Sequence, residues 1–271
     1  MSPGPLIQPD AHDPLEHYEY ERECWWCGGE ADSREHRHKA SDLRREFSAA
    51  EYQAGEIALF RSEDRPEVDL RGPNAQVAKF GHNFCARCNN ERSQPFDRAY
   101  DRFIEWFLAN ERAVEDSGAI PLTEIFEDWE QGAFLVNAYY AKHAGCRIAD
   151  MGFRVPESLR AFLDGRDEPA GFAFNFEVNG YLAGINAILK ENPTPQGTSG
   201  NLMLGPVNGM MTRDDGRPTE LVSWISYHAL QVFWEWRTDY PRSWTNLLGP
   251  VAELPRVEPE ARKELLKGSR R

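Results

Sequence analysis

Two cysteine pairs constrain this chain more than any other feature of its sequence. The pairs are Cys24 and Cys27 in CWWCG, and Cys85 and Cys88 in FCARCNN. Four thiolates arranged as two Cys-x-x-Cys pairs make the closed tetrahedral set of ligands that structural zinc prefers. Residues 28–84 separate the pairs, which is too long for a compact zinc ribbon. We therefore expect one metal ion to tie two distant segments of the chain together.

Two other interpretations of the cysteines stay open at this point. A redox dithiol needs only one pair, usually near a β-α-β pattern, and no such pattern is evident. Ordinary buried thiols are the second alternative, and Cys146 is expected to be one of them. The start of the chain has neither a basic head nor an apolar run, which predicts a cytoplasmic protein with reduced thiols. Reduced, paired thiols favour zinc, and Gly28 can take the left-handed conformation that such a tight turn needs.

The charge of the chain is strongly acidic overall and locally basic around both cysteine pairs. The net charge of −13 argues against a nucleic-acid protein, since phosphate binding usually leaves a basic surface. Residues 34–45, however, carry five Lys or Arg against two acids, and residues 71–98 do the same. We interpret this pattern as a basic cleft on an acidic body, with ordinary surface variation as the alternative. No apolar run is long enough for a membrane span, so no membrane partner is expected.

The rest of the chain predicts a folded α+β protein. An aromatic content of 12%, with eight Trp, favours a packed core over disorder. Residues 41–60 predict a short helix and then a strand. Three later helices are predicted: residues 95–113, residues 123–150 with Thr123 as N-cap, and residues 156–165 ending at Gly165. After about residue 170, short apolar segments predict strands, with a hairpin turn at Asp215 and Gly216.

The segment CWWCG…SREHRHKAS…FCARCNNERS resembles the HNH endonucleases, whose ββα-metal core is often braced by a Cys-x-x-Cys pair on each side. The matching elements are the cysteine pairs, Glu35-His36, Asn89 after the last cysteine, and Arg92 three residues on. The resemblance covers residues 24 to about 98. It implies a ββα-metal (HNH) core braced by a four-cysteine zinc site, and the sequence pattern predicts that helices and a small antiparallel sheet follow this core.

The resemblance and the composition together predict a division of the chain into three parts. Residues 1–20 would be an acidic arm, and residues 21–98 the nuclease domain, with an insertion at about 41–75. Residues 99–271 would be an α+β region of unassigned role, packed on the nuclease core or separate from it. Substrate positioning, self-association or binding of a protein partner are the roles left open for this region.

Residue roles follow from the resemblance as expectations. His36 would be the general base that takes a proton from the attacking water. Glu35 and Asn89 would be oxygen ligands of one catalytic Mg²⁺ or Mn²⁺. Arg92 would hold the phosphate, with Arg37 and Lys39 as further candidates for this role.

The expected function is metal-dependent hydrolysis of phosphodiester bonds in nucleic acid, with DNA favoured over RNA. The alternative is a catalytically inactive, zinc-stabilised module that binds nucleic acid or protein. The net charge of −13 favours this alternative. A departure from the family pattern favours it too. In the family, an Asn in the middle of the motif supports the general base, and in this chain that position is occupied by Phe80. Asn74 and Asn83 lie nearby as substitutes.

Overall fold

The computed structural model describes residues 12–55, 57–59, 68–184 and 202–257, which form a mixed α+β fold. The predicted arm is described only from residue 12 onward, and the end of the chain after residue 257 lies outside the described residues. The helices are α1 (Ala40–Glu46), α2 (Ala49–Ala54), α3 (Gln94–Ser117), α4 (Leu122–Ile125), α5 (Trp129–Asp150) and α6 (Glu157–Leu163). The strands are β1 (Ala58–Leu59), β2 (Val68–Asp69), β3 (Ala119–Pro121), β4 (Phe172–Asn179), β5 (Leu202–Leu204), β6 (Asn208–Met211), β7 (Pro218–Tyr227), β8 (Leu230–Arg237), β9 (Trp244–Thr245), β10 (Val251–Glu253) and β11 (Arg256–Val257).

Two extended segments, residues 33–37 and 78–84, pair antiparallel and lead into the first long helix. Their backbone hydrogen bonds run from Ser33 N–H to Phe84 O (2.9 Å), from Phe80 N–H to Glu35 O (2.9 Å) and from Arg37 N–H to Ala78 O (2.8 Å). A π-helical turn, Arg87–Arg92, follows the second segment and passes almost directly into α3. The chain order in this region is therefore strand, strand, helix. We call the two paired segments the hairpin.

The residues predicted as an insertion, 41–75, lie between the two segments of the hairpin. They include most of α1 together with α2 and the antiparallel pair of β1 and β2. Their buried side chains form a small apolar cluster of their own: Leu43, Tyr52, Ile57 and Leu70, with Ala78 from the second hairpin segment. The segment thus has local support for its fold beside the hairpin.

The long helices agree with the sequence pattern, with one difference in where a helix begins. Pro95 lies in the first turn of α3, where its missing N–H leaves no helical hydrogen bond unmade. The helix predicted from Thr123 is instead two helices, because the Asp128 side chain accepts a hydrogen bond from Gln131 N–H (3.0 Å) and starts α5. Thr123 lies within α4 and caps neither helix. The prediction that α6 stops at Gly165 is confirmed, and Gly165 has the left-handed conformation, with φ of 68°.

The sheet is larger and less regular than the small antiparallel sheet expected from the sequence. Seven described strands form it, in the order β11-β4-β8-β7-β5, with β6 paired to β7 and β9 paired to β4. The central pairs are antiparallel, but β9 and β11 run parallel to β4. These parallel pairs arise because residues 244–257 return along the edge of the sheet beside β4, a non-local contact. The predicted β6–β7 hairpin at Asp215 and Gly216 is confirmed.

One hydrophobic core extends from the cysteine region to the sheet. It includes Trp25, Phe84, Phe103, Phe176 and Trp234, all at most 2% exposed. The predicted domain boundary between residues 98 and 99 lies within α3, and the core continues on both sides of it. None of the described helices is both long enough and apolar enough to cross a membrane.

Helix α5 is pressed against the cysteine region at Gly145. A Cβ added at Gly145 would lie 2.5 Å from Cη2 of Trp25, closer than real Cβ contacts occur. Glycine at this position therefore lets α5 approach the hairpin, and α5 brings Lys142 and Cys146 beside it.

His228, in the turn between β7 and β8, connects that turn to α1 and α3. Its Nε2 lies 2.9 Å from Glu46 Oε1, and its Nδ1 lies 3.2 Å from Glu111 Oε2. Burial alone would lower the pKa of His228, but the hydrogen bonds to Glu111 and Glu46 outweigh it and raise the pKa to about 9. The charged imidazole thus stabilises the fold.

We predict that the stabilisation by His228 depends on pH. Because the pKa is higher in the folded chain than the unfolded value of about 6.5, the stabilisation is complete below pH 6.5 and is lost as pH rises through 9. His228→Gln should lower the free energy of unfolding by up to about 3 kcal/mol at pH 6 and by much less above pH 9. Urea unfolding at both pH values measures this, with the exposed His82→Gln as control. Equal losses at the two pH values would contradict the prediction.

Candidate metal centre and active site

The four paired cysteines converge in one cluster. Their Sγ atoms all lie within 4.8 Å of one another, and the Sγ atoms of Cys27 and Cys85 are 3.6 Å apart. All five cysteines of the chain are free thiols rather than disulfides. The donor set, its closeness and the pairing of two distant segments fit a structural metal such as zinc. Cys146 lies outside the cluster and is buried, as expected.

The backbone turns tightly at both cysteine pairs. Gly28 is left-handed, with φ of 73°, which confirms the expectation from the sequence. The N–H of Cys24 donates to Gly29 O (2.7 Å), and the N–H of Cys88 donates to Cys85 Sγ (3.3 Å). A hydrogen bond with Cys88 lowers the pKa of the Cys24 thiol to about 5, so the cluster stabilises a thiolate. Thiolates are the form that binds metal.

Stacked aromatic rings fix the cluster against the core. The rings of Trp25 and Phe84 lie 5.5 Å apart, and those of Trp26 and Phe84 lie 6.1 Å apart. Trp25 Nε1 donates to Cys146 Sγ at 3.3 Å. Both tryptophans are buried, so they pack the cysteine turn and leave no ring face for a nucleobase.

Glu35 points from the hairpin into the protein, where it meets a lysine. Nζ of Lys142 lies 3.2 Å from Glu35 Oε1 and 2.9 Å from Asp97 Oδ1. Burial raises the pKa of Glu35, and the ammonium of Lys142 opposes that rise. Burial alone would lower the pKa of Lys142, but Glu35 and Asp97 outweigh it and raise the pKa. Lys142 is therefore a buried cation beside the first predicted metal ligand.

Asn89, the second predicted metal ligand, holds the π-helical turn against the first segment of the hairpin. Its Nδ2 donates to Ser33 Oγ (2.9 Å) and to Arg34 O (3.3 Å). The side chains present do not fit a divalent cation beside Glu35, because the ammonium of Lys142 already lies between the two carboxylates. The structure thus brings Glu35 together with Lys142 and Asp97, and Asn89 together with Ser33 and Arg34.

His36 faces away from Glu35, since successive side chains of an extended segment point to opposite faces. It pairs across the hairpin with Lys79, and directly opposite residues share a face. Burial lowers the pKa of His36 to about 4, with Lys79 and Arg44 adding to this and a hydrogen bond to Asn74 opposing it. Nε2 of His36 is buried without a hydrogen-bond partner among the described residues. At neutral pH the imidazole is uncharged and can accept a proton.

The three basic residues predicted to bind phosphate are each held by a carboxylate. The partners are Asp164 for Arg92, Asp150 for Arg37 (2.8 Å) and Asp101 for Lys39 (2.7 Å). The guanidinium of Arg92 also lies over the ring of Trp26, 4.2 Å from its centroid. These three basic residues therefore form internal ion pairs with acids from distant segments of the chain.

Two cations that were not among the predicted phosphate-binding residues, Lys79 and Arg44, act electrostatically on His36 instead. Neither forms an ion pair with a carboxylate in the described part of the chain. Of the two candidate substitutes for the family's middle Asn, Asn74 lies beside His36, whereas Asn83 donates to the carbonyl of Cys146 (3.3 Å). We call His36, Asn74, Lys79 and Arg44 the His36 surface.

A scan against protein-family models, a search of the curated proteins and a search of the solved structures found no match for this chain. What the site can do therefore follows from its own residues. They define a four-cysteine centre that could bind a metal such as zinc, in a mixed α+β protein.

Proposed function

We propose that this protein is a zinc-braced endonuclease of the HNH type. It hydrolyses phosphodiester bonds of nucleic acid, DNA in preference to RNA, with His36 as general base. The observation that carries the proposal is the environment of His36. A neutral imidazole, whose buried Nε2 has no partner among the described residues, lies beside Lys79 and Arg44 on a hairpin braced by four cysteines.

Each residue of the His36 surface has a role in this proposal. The imidazole takes the proton of the attacking water. Lys79 and Arg44 hold the phosphate and stabilise the negative charge that grows on its oxygens. Asn74 orients the ring. A bound phosphate would favour the imidazolium and raise the pKa of His36 from about 4, which makes the base stronger when substrate is present.

The local chain order supports the assignment to the HNH type. Glu35-His36 lie on the first segment of the hairpin, and Asn89 lies in the turn that opens the helix after the second. The two cysteine pairs flank the hairpin, one before its first segment and one after its second, and α3 follows the second pair.

The proposal is tested by incubating zinc-loaded protein with supercoiled plasmid and, separately, with single-stranded RNA. Parallel samples receive Mg²⁺, Mn²⁺ or a brief treatment with EDTA, and the zinc content of the protein is measured in each sample afterwards. We expect relaxed or linear plasmid carrying 5′-phosphate ends. The Mg²⁺ or Mn²⁺ requirement implied by the resemblance is read from the EDTA sample. Folded, zinc-loaded protein that cuts neither substrate in any sample would contradict the proposal.

A second candidate function is an inactive zinc-stabilised module that binds nucleic acid or protein. Two observations favour it: Glu35 is paired with Lys142, and Arg37, Lys39 and Arg92 are paired with carboxylates. This candidate predicts binding of a labelled oligonucleotide at low salt without any cleavage. A redox role would require a chain without one tightly bound zinc ion, so zinc content separates it from both.

We predict that reversing the charges beside His36 weakens binding of nucleic acid. The variant Lys79→Glu with Arg44→Glu replaces two phosphate-facing cations, and we expect a loss of affinity on the order of tenfold or more at low salt. The salt dependence of binding should also become weaker, because fewer counterions are released. Fluorescence anisotropy with a short labelled oligonucleotide measures both. Arg213→Glu, in the β6–β7 turn, is the control, and an equal loss in that variant would contradict the assignment of this surface.

A further inference from the structure

The most unusual group near the proposed active site is the buried ammonium of Lys142. Its side chain is 1% exposed, and it contacts one carboxylate on the hairpin and one on α3. A buried charge is costly unless it is paired and hydrogen-bonded, so this position is maintained by the two acids. Asp97 is further held by Ser93 Oγ, which donates to its Oδ2 at 3.0 Å.

We infer that Lys142 is a resident cation that takes the place of a divalent metal ion at Glu35. The inference deepens the proposed function, since it rests on Glu35 being the residue that corresponds to a metal ligand of the HNH type. While Lys142 is in place, Glu35 binds neither Mg²⁺ nor Mn²⁺. Any cleavage then depends on the His36 surface, without a metal ion on Glu35.

The packing of α5 shows why Lys142 does not simply withdraw. Gly145, one turn after Lys142, is in such close contact with Trp25 that even a methyl group would clash. Lys142 and Gly145 are three residues apart and therefore lie on the same face of the helix. Trp25 in turn belongs to the stacked rings beside the cysteine cluster. The contact between Gly145 and Trp25 therefore fixes the position of α5 and, with it, the position of Lys142.

The charge around Glu35 also disfavours a second cation. Nζ of Lys39 lies 4.0 Å from Asp97 Oδ1 and 2.7 Å from Asp101 Oδ2, so the acid on α3 already has two ammonium neighbours. A divalent ion added beside Lys142 would meet like charge in a region with little water to screen it. Removing the lysine, by contrast, leaves two facing carboxylates, which are the hard oxygen donors that Mn²⁺ and Mg²⁺ accept.

The test is a titration of zinc-loaded protein with Mn²⁺, in which electron paramagnetic resonance measures the concentration of the free ion. Four proteins are compared: wild type, Glu35→Gln, Lys142→Met, and Lys142→Met with Glu35→Gln. We expect the Glu35→Gln protein to bind Mn²⁺ as the wild type does. Lys142→Met should gain one site, about tenfold or more tighter than any in wild type, and the double variant should lose it. Lys79→Met, which removes an outward lysine, should gain no site.

Two results would overturn the inference. One is a Mn²⁺ site in wild type that Glu35→Gln abolishes, and this comparison needs no variant at Lys142. The other is a Lys142→Met protein with native circular dichroism and zinc content that gains no Mn²⁺ site. The readout is metal binding, so an absence of cleavage would count against the proposed nuclease while leaving this inference standing.

Discussion

Loss of the metal from the four cysteines is expected to destabilise the protein more than any single change elsewhere. Structural zinc contributes about 10–16 kcal/mol of apparent binding free energy in small zinc domains, and that energy is available only to the folded state. Cys88→Ser removes one ligand of the cluster that joins the two ends of the hairpin unit. We expect a loss of several kcal/mol, which lowers Tm by roughly 10 °C for a chain of this size.

The measurement combines zinc content by mass spectrometry with thermal unfolding followed by near-ultraviolet circular dichroism. The near-ultraviolet signal is informative because Trp25 and Trp26 are stacked beside the cysteines. Cys146→Ser is the matched control, since Cys146 is buried beside Trp25 but lies outside the cluster. It should keep one zinc ion per chain. A Cys88→Ser protein with the Tm and zinc content of wild type would show that the cluster is not a metal centre.

Replacement of His36 by alanine should reduce cleavage by about 10²–10⁴-fold, the usual contribution of a general base. The side chain is half-buried and points away from Glu35, and its buried Nε2 has no described partner, so its removal breaks no internal hydrogen bond at that atom. We therefore expect unchanged zinc content and a small change in Tm. Single-turnover cleavage of a labelled oligonucleotide gives the rate.

The matched control for this variant is His82→Ala, which changes an exposed histidine in the second segment of the hairpin. That variant should cut at the rate of wild type. Wild-type rates in His36→Ala would mean that another group takes the proton. A variant that loses zinc together with activity would instead point to a structural role for His36.

Much of the fold could be predicted because its signals are local. The apolar spacing of α3, the glycine after α6 and the Asp215-Gly216 turn each act within a few residues, and all three are found as expected. The sequence misplaces the start of α5 because two cap candidates lie close together, and Asp128 provides the hydrogen bond that Thr123 does not. The parallel pairing of β9 and β11 with β4 has no local signal, since it joins segments far apart in the chain.

The candidate site also has one part with a clear signal in the sequence and one part that depends on contacts between distant segments. The four-cysteine cluster could be predicted, because metal ligation dictates both residue type and spacing. The partner of Glu35 could not, because Lys142 comes from a helix more than a hundred residues later and looks in the sequence like an ordinary helical lysine. The opposite orientations of Glu35 and His36 follow from the alternation of an extended segment, once the hairpin is known.

In the proposed mechanism a phosphodiester binds beside the ring of His36, and the imidazole takes the proton of the attacking water. This arrangement is tested most directly by the ring ¹⁵N chemical shifts of His36 in zinc-loaded protein at pH 6, with and without a phosphorothioate oligonucleotide. With a pKa of about 4, the free imidazole should be almost entirely neutral at this pH. The oligonucleotide should shift it toward the imidazolium, because a nearby anion favours the charged ring. A ring that is largely protonated in the free protein, or that does not respond while the oligonucleotide binds elsewhere, would contradict the account.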